Sequence, residues 1–438
     1  MTNIKYITKH LRCTGCGACV SFCSKHAITI EQTSMGRLFA SINESKCTDC
    51  GLCEKICPNS NYNLVDQLKA TNSNTIPKVY IGHSKNKKIY QNSQSGGVVT
   101  QILFDLLSNR TIDAALCCKT GYSTNGSQNS DIAIITNPLD LFCTQKSFYS
   151  PVSILANIKS LNQYNSIAIV GLPCQIQAIR SLQKLNLLKN IHVVIGLICD
   201  RTMTHTCNNV IHAYVSSSKA ISSKTKIIFK DKNYDYKNPN AYRYAPMTIE
   251  YLQKEKHYSY KLDNQLRLYL KDYFTSPRCM VCLDKLNSQC DIVCGDPWGM
   301  KEVDWKFGDS LVISRTDKGH SIINQILTND SVTLTPSTFK DVYIGQKIDE
   351  RIDMAVSAIE QFKNKGIYIY PDTLISSMNK NISTQKMQKR VNYMIKRFFY
   401  YECHEKDFII KDITKKAKLH IAIYRVQTKI KSIIHHFV

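Results

Sequence analysis

Cys13-Thr-Gly-Cys16-Gly-Ala-Cys19-Val-Ser-Phe-Cys23 and Cys47-Thr-Asp-Cys50-Gly-Leu-Cys53-Glu-Lys-Ile-Cys57-Pro58 are one pattern written twice. In each run three cysteines are separated by two residues and the fourth follows after three. A loop this tight aims three thiolates at three iron corners of one cube. The fourth cysteine starts a helix that points away and reaches the other cube. The doubled run therefore predicts two 4Fe-4S clusters with crossed ligands. Cys13, Cys16, Cys19 and Cys57 would hold one, and Cys47, Cys50, Cys53 and Cys23 the other. Gly15, Gly17 and Gly51 suit loops that turn closely around sulfur. Pro58 follows the second run, and Ser24 takes its place in the first. Zinc sites also use Cys-x2-Cys pairs, but they close on four ligands. A disulfide framework needs an oxidising compartment, and Met1 to His10 lacks the apolar core of an export signal. The iron–sulfur reading outweighs both.

The chain has 438 residues and 19 cysteines, of which the doubled run uses only eight. So many unpaired thiols suit a reducing cytoplasm. No apolar stretch is long enough for a membrane span. Lys plus Arg number 57 against 34 Asp plus Glu, a net charge of +23. From Ile375 to Val438 the balance is 14 basic to four acidic. A basic surface suits nucleic acid, an anionic membrane or an acidic protein. The basic residues form no nucleic-acid motif, so specific nucleic-acid binding ranks low. An acidic electron carrier such as ferredoxin or flavodoxin is the expected partner.

The pattern divides the chain into an α+β, ferredoxin-like two-cluster module at 1–62, a polar linker at 63–78, an α/β domain at 79–350 and a basic helical region at 351–438. In the α/β domain, Asp113-Ala-Ala-Leu-Cys-Cys, Asp131-Ile-Ala-Ile-Ile-Thr, Ser166-Ile-Ala-Ile-Val and His192-Val-Val-Ile-Gly-Leu-Ile read as apolar strands. Helical stripes stand between them, which predicts a mostly parallel sheet covered on both faces. Residues 216–262, rich in Lys, Tyr and Asn, read as less regular.

Cys174 and Cys199 each lie just past the carboxyl end of a predicted strand. If those strands are parallel neighbours, both thiols emerge at the sheet edge where ligands bind in open α/β folds. With Cys279-x2-Cys282 they make a third set of four. Cys279, Cys282, Cys290 and Cys294 make a rival set, and spacing does not choose between the two. Any one of these alone is more often an inert buried thiol.

The order of Ser93-Gln94-Ser95-Gly96-Gly97, Gln145-Lys146-Ser147-Phe148-Tyr149, Gly171-Leu-Pro-Cys174-Gln175, Cys279-x2-Cys282 and Gly295-Asp296-Pro297-Trp298-Gly299 resembles the coenzyme F420 hydrogenase/dehydrogenase beta-subunit family of iron–sulfur flavoproteins. The resemblance runs over roughly residues 10–330. It implies FAD, a third 4Fe-4S cluster beside it, and electron transfer between clusters and flavin. It favours Cys174, Cys199, Cys279 and Cys282 as the third ligand set. It also points to Gln94, Ser95, Gly96, Gly97, Lys146, Ser147 and Tyr149 as flavin contacts. Two glycines opening a helix let a pyrophosphate approach backbone N–H groups. Tyr149, Asp296 and Arg315 are proton-donor candidates by motif position only. Asp200-Arg201-Thr202 departs from the family pattern, in which histidine and glycine often follow the cysteine. Family members act on a deazaflavin, a chlorophyll derivative or unidentified compounds of surface-polysaccharide gene clusters. The expected function is an iron–sulfur flavin oxidoreductase fed by a ferredoxin-like donor. The alternative is a non-catalytic electron-transfer subunit of a larger complex.

In the tail, Met387, Val391, Met394, Ile395, Phe398 and Phe399 form one helical stripe. Leu419, Ile423, Val426, Ile430 and Ile433 form another. Packing on the protein is the more common fate of such stripes; peripheral attachment to an anionic membrane is the other.

Overall fold

The computed structural model describes residues 3–60, 76–122, 129–216, 224–232, 237–243, 245–253, 256–370 and 384–437. Most of the expected 63–78 linker, and the side chain of Ile433, lie outside the described residues. In the first module, β1 (Ile28–Gln32) and β2 (Leu38–Ile42) form an antiparallel hairpin. Short helices at Ala18–Ser21 and Leu52–Ile56 each begin after a glycine in the left-handed region, Gly17 at φ 89° and Gly51 at φ 71°. Those glycines turn each cysteine loop into its helix at low steric cost.

The large domain is an eight-stranded sheet built from β3 (Lys78–Ser84), β4 (Ala114–Gly121), β5 (Asn129–Ile135), β6 (Ile167–Gly171), β7 (Ile191–Leu197), β11 (Ile292–Gly295), β12 (Ser310–Ser314) and β13 (Val332–Ser337). Its order is β13-β3-β12-β11-β7-β6-β4-β5. The centre, β11-β7-β6-β4, is parallel, as the apolar runs predict. Antiparallel partners extend it on both sides, so the whole sheet is mixed. Ile167, Ala168 and Ile169 of β6 and Val193, Val194 and Ile195 of β7 are all fully buried, as strands covered on both faces must be.

Between β7 and β11 the chain leaves the sheet. It builds a three-stranded antiparallel sheet, order β10-β9-β8, from β8 (Thr225–Ile228), β9 (Met247–Gln253) and β10 (Lys256–Leu262). Residues 216–262, read as less regular, thus hold a sheet. β10 is almost wholly exposed and polar, so alternation gave no signal. Stacking of the cross-strand pair Tyr251 and Tyr258 at 5.2 Å helps fix its register.

The expected boundary at 350/351 falls inside the helix Ile348–Lys363. That helix packs on the helix Gln385–Glu402, which buries Val391, Met394, Ile395 and Phe398. The first tail stripe is therefore core. The tail also clasps the first module. Arg12 Nε donates to Tyr368 O at 2.7 Å, and Arg37 pairs with Glu402 at 2.9 Å.

Candidate functional site

Cys13, Cys16, Cys19 and Cys57 line one small cavity of the first module. Cys23, Cys47, Cys50 and Cys53 line a second, which Cys19 also touches. This is the crossed grouping. The fourth cysteine does not start a helix as expected but follows one: Cys57 is the C-terminal cap of Leu52–Ile56 and leaves it in an extended conformation, and Cys23 comes after Ala18–Ser21. The first set is the more enclosed, with Cys13, Cys19 and Cys57 buried, whereas Cys50 of the second is exposed. Burial pushes Cys16 up to about 11, and lifts Cys19 and Cys57 well above the ordinary thiol range. Thiols so desolvated and crowded ionise together only around a polycation, which is what iron provides. The donor set thus fits a cluster.

Cys174 sits in the first turn of the helix Pro173–Lys184, directly after β6, and Cys199 follows β7. The strands are parallel neighbours, so both thiols leave the same edge. The segment that returns to β11 passes that edge. Cys199 N–H donates to Lys285 O at 3.0 Å, and Asn287 Nδ2 bridges Gly171 O and Leu197 O at 3.0 and 3.3 Å. Cys279 and Cys282 are thereby brought to Cys174 and Cys199, and the four line one cavity. Burial raises Cys174 and Cys199, and each then feels the neighbouring thiols. Arg351 anchors the Cys279–Cys282 loop through both cysteine carbonyls. The rival cysteines point elsewhere. Cys290 donates to Asn287 O at 2.9 Å in the core, and Cys294 lies within β11 among the apolar residues of the other sheet face. Among the described residues, no three metal-binding side chains are grouped so as to hold a single metal ion.

A larger cavity, of about 340 Å³, opens above the carboxyl ends of β4, β6, β7 and β11, within the usual size range of cofactor sites. Gln94, Ser95, Gly97, Lys146, Ser147 and Tyr149 line it. The two motif segments are laced together: Ser147 N–H donates to Gln94 Oε1 at 3.3 Å, and Asn92 Nδ2 to Gln145 Oε1 at 2.6 Å. Gln94 Nε2 is buried with no partner among the described residues, an amide left for a ligand. Lys146 adopts φ 70°, a strained conformation for a lysine, and burial lowers its pKa. These residues fit an anionic, partly apolar cofactor.

Gly96 is a correction. It does not line the cavity; its N–H donates to Ser310 Oγ at 3.0 Å, and its carbonyl accepts from Ser84 N–H at 2.8 Å. An added Cβ would lie 2.2 Å from Gly82 O and 2.6 Å from Ser310 N. The glycine is required by strand packing. Gly96→Ala is expected to cost about 3 kcal/mol or more in denaturant titration, as overpacking against fixed backbone does.

Two lysines that no motif singles out stand behind the cavity wall. Lys230 Nζ pairs with Asp296 at 3.0 Å and lies 3.5 Å from the centre of the Tyr242 ring. Lys232 Nζ donates to Ser95 O at 2.8 Å and to Ser93 Oγ at 3.3 Å, above the Tyr90 ring. Burial, with Lys146 and Lys230 nearby, outweighs the opposing Asp304 and Asp309 and brings Lys232 down to about 7. An anion bound at the Ser95 turn would restore its charge. Above pH 7 the free site has lost that proton, so binding must take it up. Affinity for an anionic cofactor at this turn is expected to weaken by up to about tenfold per pH unit there, with proton uptake measurable by titration calorimetry in two buffers. A pH-independent affinity between 7 and 9 rules Lys232 out.

Of the proton-donor candidates, Tyr149 lines the cavity, and burial raises it to about 12. Asp296 lines it too, but it is held by Lys230 and by Tyr242 Oη at 2.5 Å. Arg315 does not line it; it faces Leu286 O and the Phe339 ring. Asp200-Arg201-Thr202, the departure from the family pattern, lies in the wall shared with the third thiol set. Burial disfavours the Asp200 carboxylate, but Arg201 at 2.9 Å and Lys271 at 2.6 Å outweigh it and hold it well below the usual range.

Residues 79–159 and 164–339 match the models for the coenzyme F420 hydrogenase/dehydrogenase beta subunit, N-term and C terminus, and residues 12–61 match a 4Fe-4S dicluster domain. The chain is 28% identical over 210 residues to one subunit of the F(420)H(2) dehydrogenase of Methanosarcina mazei, covering 46% of this chain and 57% of that one. It is 26% identical over 348 residues to the coenzyme F420-dependent sulfite reductase of Methanocaldococcus jannaschii, covering 74% and 47%. The beta subunit of the F420-dependent formate dehydrogenase of the same organism is 24% identical over 341 residues, covering 73% and 77%. The chain spans about half the length of the first two relatives. A chain of the F420-reducing nickel–iron hydrogenase complex of Methanosarcina barkeri superposes with a TM-score of 0.49 and 18% identity, covering 67% of this chain and 94% of that one.

Proposed function

Because the chain belongs to the coenzyme F420 hydrogenase/dehydrogenase beta-subunit family, we propose that it is a one-chain relay, carrying electrons from an acidic protein donor to a flavin. The observation that carries this reading is the succession of adjoining cavities. Cys19 borders both thiol sets of the first module. Thr14 borders the inner of these and the third set, and Cys174 lies close enough to Cys16 for their charges to interact. Cys199 to Thr202, with Leu172 and Gln175, form the partition between the third set and the large cavity.

Clusters in the three thiol sets would supply one-electron steps, and FAD in the large cavity would convert them to a two-electron reduction. The protein's own residues supply position and charge. The exposed Cys50 end receives the donor. The Ser95 turn and the Gln94 amide bind the flavin's polar groups, with Lys146 and Lys232 offsetting phosphate charge. Tyr149, neutral across the physiological range, is placed to donate a proton at the cavity wall.

Anaerobically purified chain should contain about twelve iron, twelve sulfide and one FAD, the content of three cubes and one flavin. Reduced ferredoxin should bleach the flavin. A content of eight iron or fewer would remove the third cluster, and absence of flavin would end the relay reading. The subunit alternative is favoured by the names of two relatives, each a subunit of a dehydrogenase. It predicts flavin bleaching by ferredoxin with no small-molecule reduction by the isolated chain.

A further inference from the structure

We propose that the terminal helix, Lys406–Phe437, docks the chain on an anionic lipid surface. This helix carries two apolar faces. Ile409, Ile413, Ala417 and Ile421 are buried against the helices Thr206–Ser216 and Asn264–Phe274. Leu419, Ile423, Val426 and Ile430 form a second stripe, spaced by four, three and four residues, and are 49–63% exposed. Phe408 extends the stripe toward the start of the helix, where it stacks on His404, which in turn meets Tyr400. Phe408 and Tyr400 are exposed as well. Aromatic rings at the end of an apolar stripe suit the headgroup level of a bilayer.

The flank of the stripe is basic. Lys411, Lys415 and Lys418 border a shallow groove in which Asp407 is the one acidic side chain among the described residues. Of the other acidic groups nearby, Asp412 is engaged by Lys416 and Tyr401, Glu402 by Arg37, and Glu405 is exposed just before the helix. Tyr424 with Gln265 and Arg425 with Asp263 tie the helix to the body. From Arg425 to Ile430 every residue is exposed. A helix with an exposed apolar stripe beside lysines is the form of an in-plane membrane anchor. No described helix is long and apolar enough to cross a membrane, so the contact is with the surface. Charge selects lipid over a second copy of this chain, since the second copy carries the same positive face.

The test is co-sedimentation of the anaerobically purified full chain with vesicles containing roughly one-third phosphatidylglycerol, or with phosphatidylcholine alone. The full chain should bind the anionic vesicles at least about tenfold better, and high salt should release it. Ile423→Glu with Val426→Glu should weaken binding at least about tenfold, and so should Lys411→Glu with Lys415→Glu. All four side chains are exposed, so unchanged visible absorption serves as the folding control. Binding indifferent to both variants, or equal on both vesicle types, overturns the proposal. So does a lack of vesicle binding in a chain that sediments as a dimer and becomes monomeric in the apolar variant; that result would assign the stripe to a second copy.

Discussion

Cys57→Ala removes the cluster held by Cys13, Cys16 and Cys19 and leaves the Cys47, Cys50 and Cys53 cluster in place, although Cys57 is adjacent in sequence to the latter. The reason is the helix Leu52–Ile56. It starts from Gly51 in the left-handed region and points Cys53 and Cys57 in different directions. Cys57 then lies with Cys13, Cys16 and Cys19 around the inner cavity. The loss should be severe. The inner site is enclosed, and burial holds Cys16, Cys19 and Cys57 above the ordinary thiol range, so three thiolates there without a fourth ligand would be poorly compensated. Iron and sulfide should fall by about one third, as the loss of one cube in three requires. The outer cluster, next to the exposed Cys50, should still be reduced by dithionite. Because the inner site lies between the outer cluster and the third set, electron delivery from ferredoxin to the flavin should stop as well. Loss of the outer cluster's signal with retention of the inner one would overturn the crossed assignment.

That assignment was legible because both halves of each ligand set are local runs whose spacing encodes geometry. The same holds for Cys174 and Cys199, since an apolar run ending in a cysteine places the thiol at the strand's carboxyl end. Sequence alone could not decide how Cys279 and Cys282 join them. That pairing depends on Asn287 tying the returning segment to Gly171 and Leu197, 116 and 90 residues earlier. The lysines behind the large cavity were hidden for a related reason. Lys232 reads as one more charge in a Lys-rich stretch until folding brings it to Ser95, 137 residues away. Gly96 misled in the opposite sense. A glycine pair before a helix has the local form of a phosphate-binding turn, but the close neighbours of Gly96 are the backbone of β3 and β12. The tail divided in the same way. Periodicity showed two apolar stripes, and only the fold shows that the first is consumed by the helix Ile348–Lys363 while the second is left outside.

Cys199→Ser should have the second large effect, and comparing it with Cys290→Ala separates the two ligand sets that spacing left open. Cys199 belongs to the third set and also borders the large cavity. Serine keeps the volume but replaces the soft thiolate that iron–sulfur clusters select with a hard, weakly acidic hydroxyl. The third cluster should be lost, with about four of twelve iron atoms. The two clusters of the first module should persist, because their cavities share no cysteine with this one. Flavin reduction by ferredoxin should slow by roughly a hundredfold or more, a barrier increase of about 3 kcal/mol. Flavin content should stay near one per chain, since Gln94, Ser95 and Lys146 are untouched. Cys290→Ala should behave differently. Its thiol is buried and bonded to Asn287 O, so the variant should lose about 1–2 kcal/mol of stability through a small cavity and a missing hydrogen bond. Its iron content and electron delivery should remain unchanged. If Cys290→Ala lost the third cluster and Cys199→Ser kept it, the ligands would be the rival set, and the partition formed by Cys199 to Thr202 could no longer be the last step of the relay.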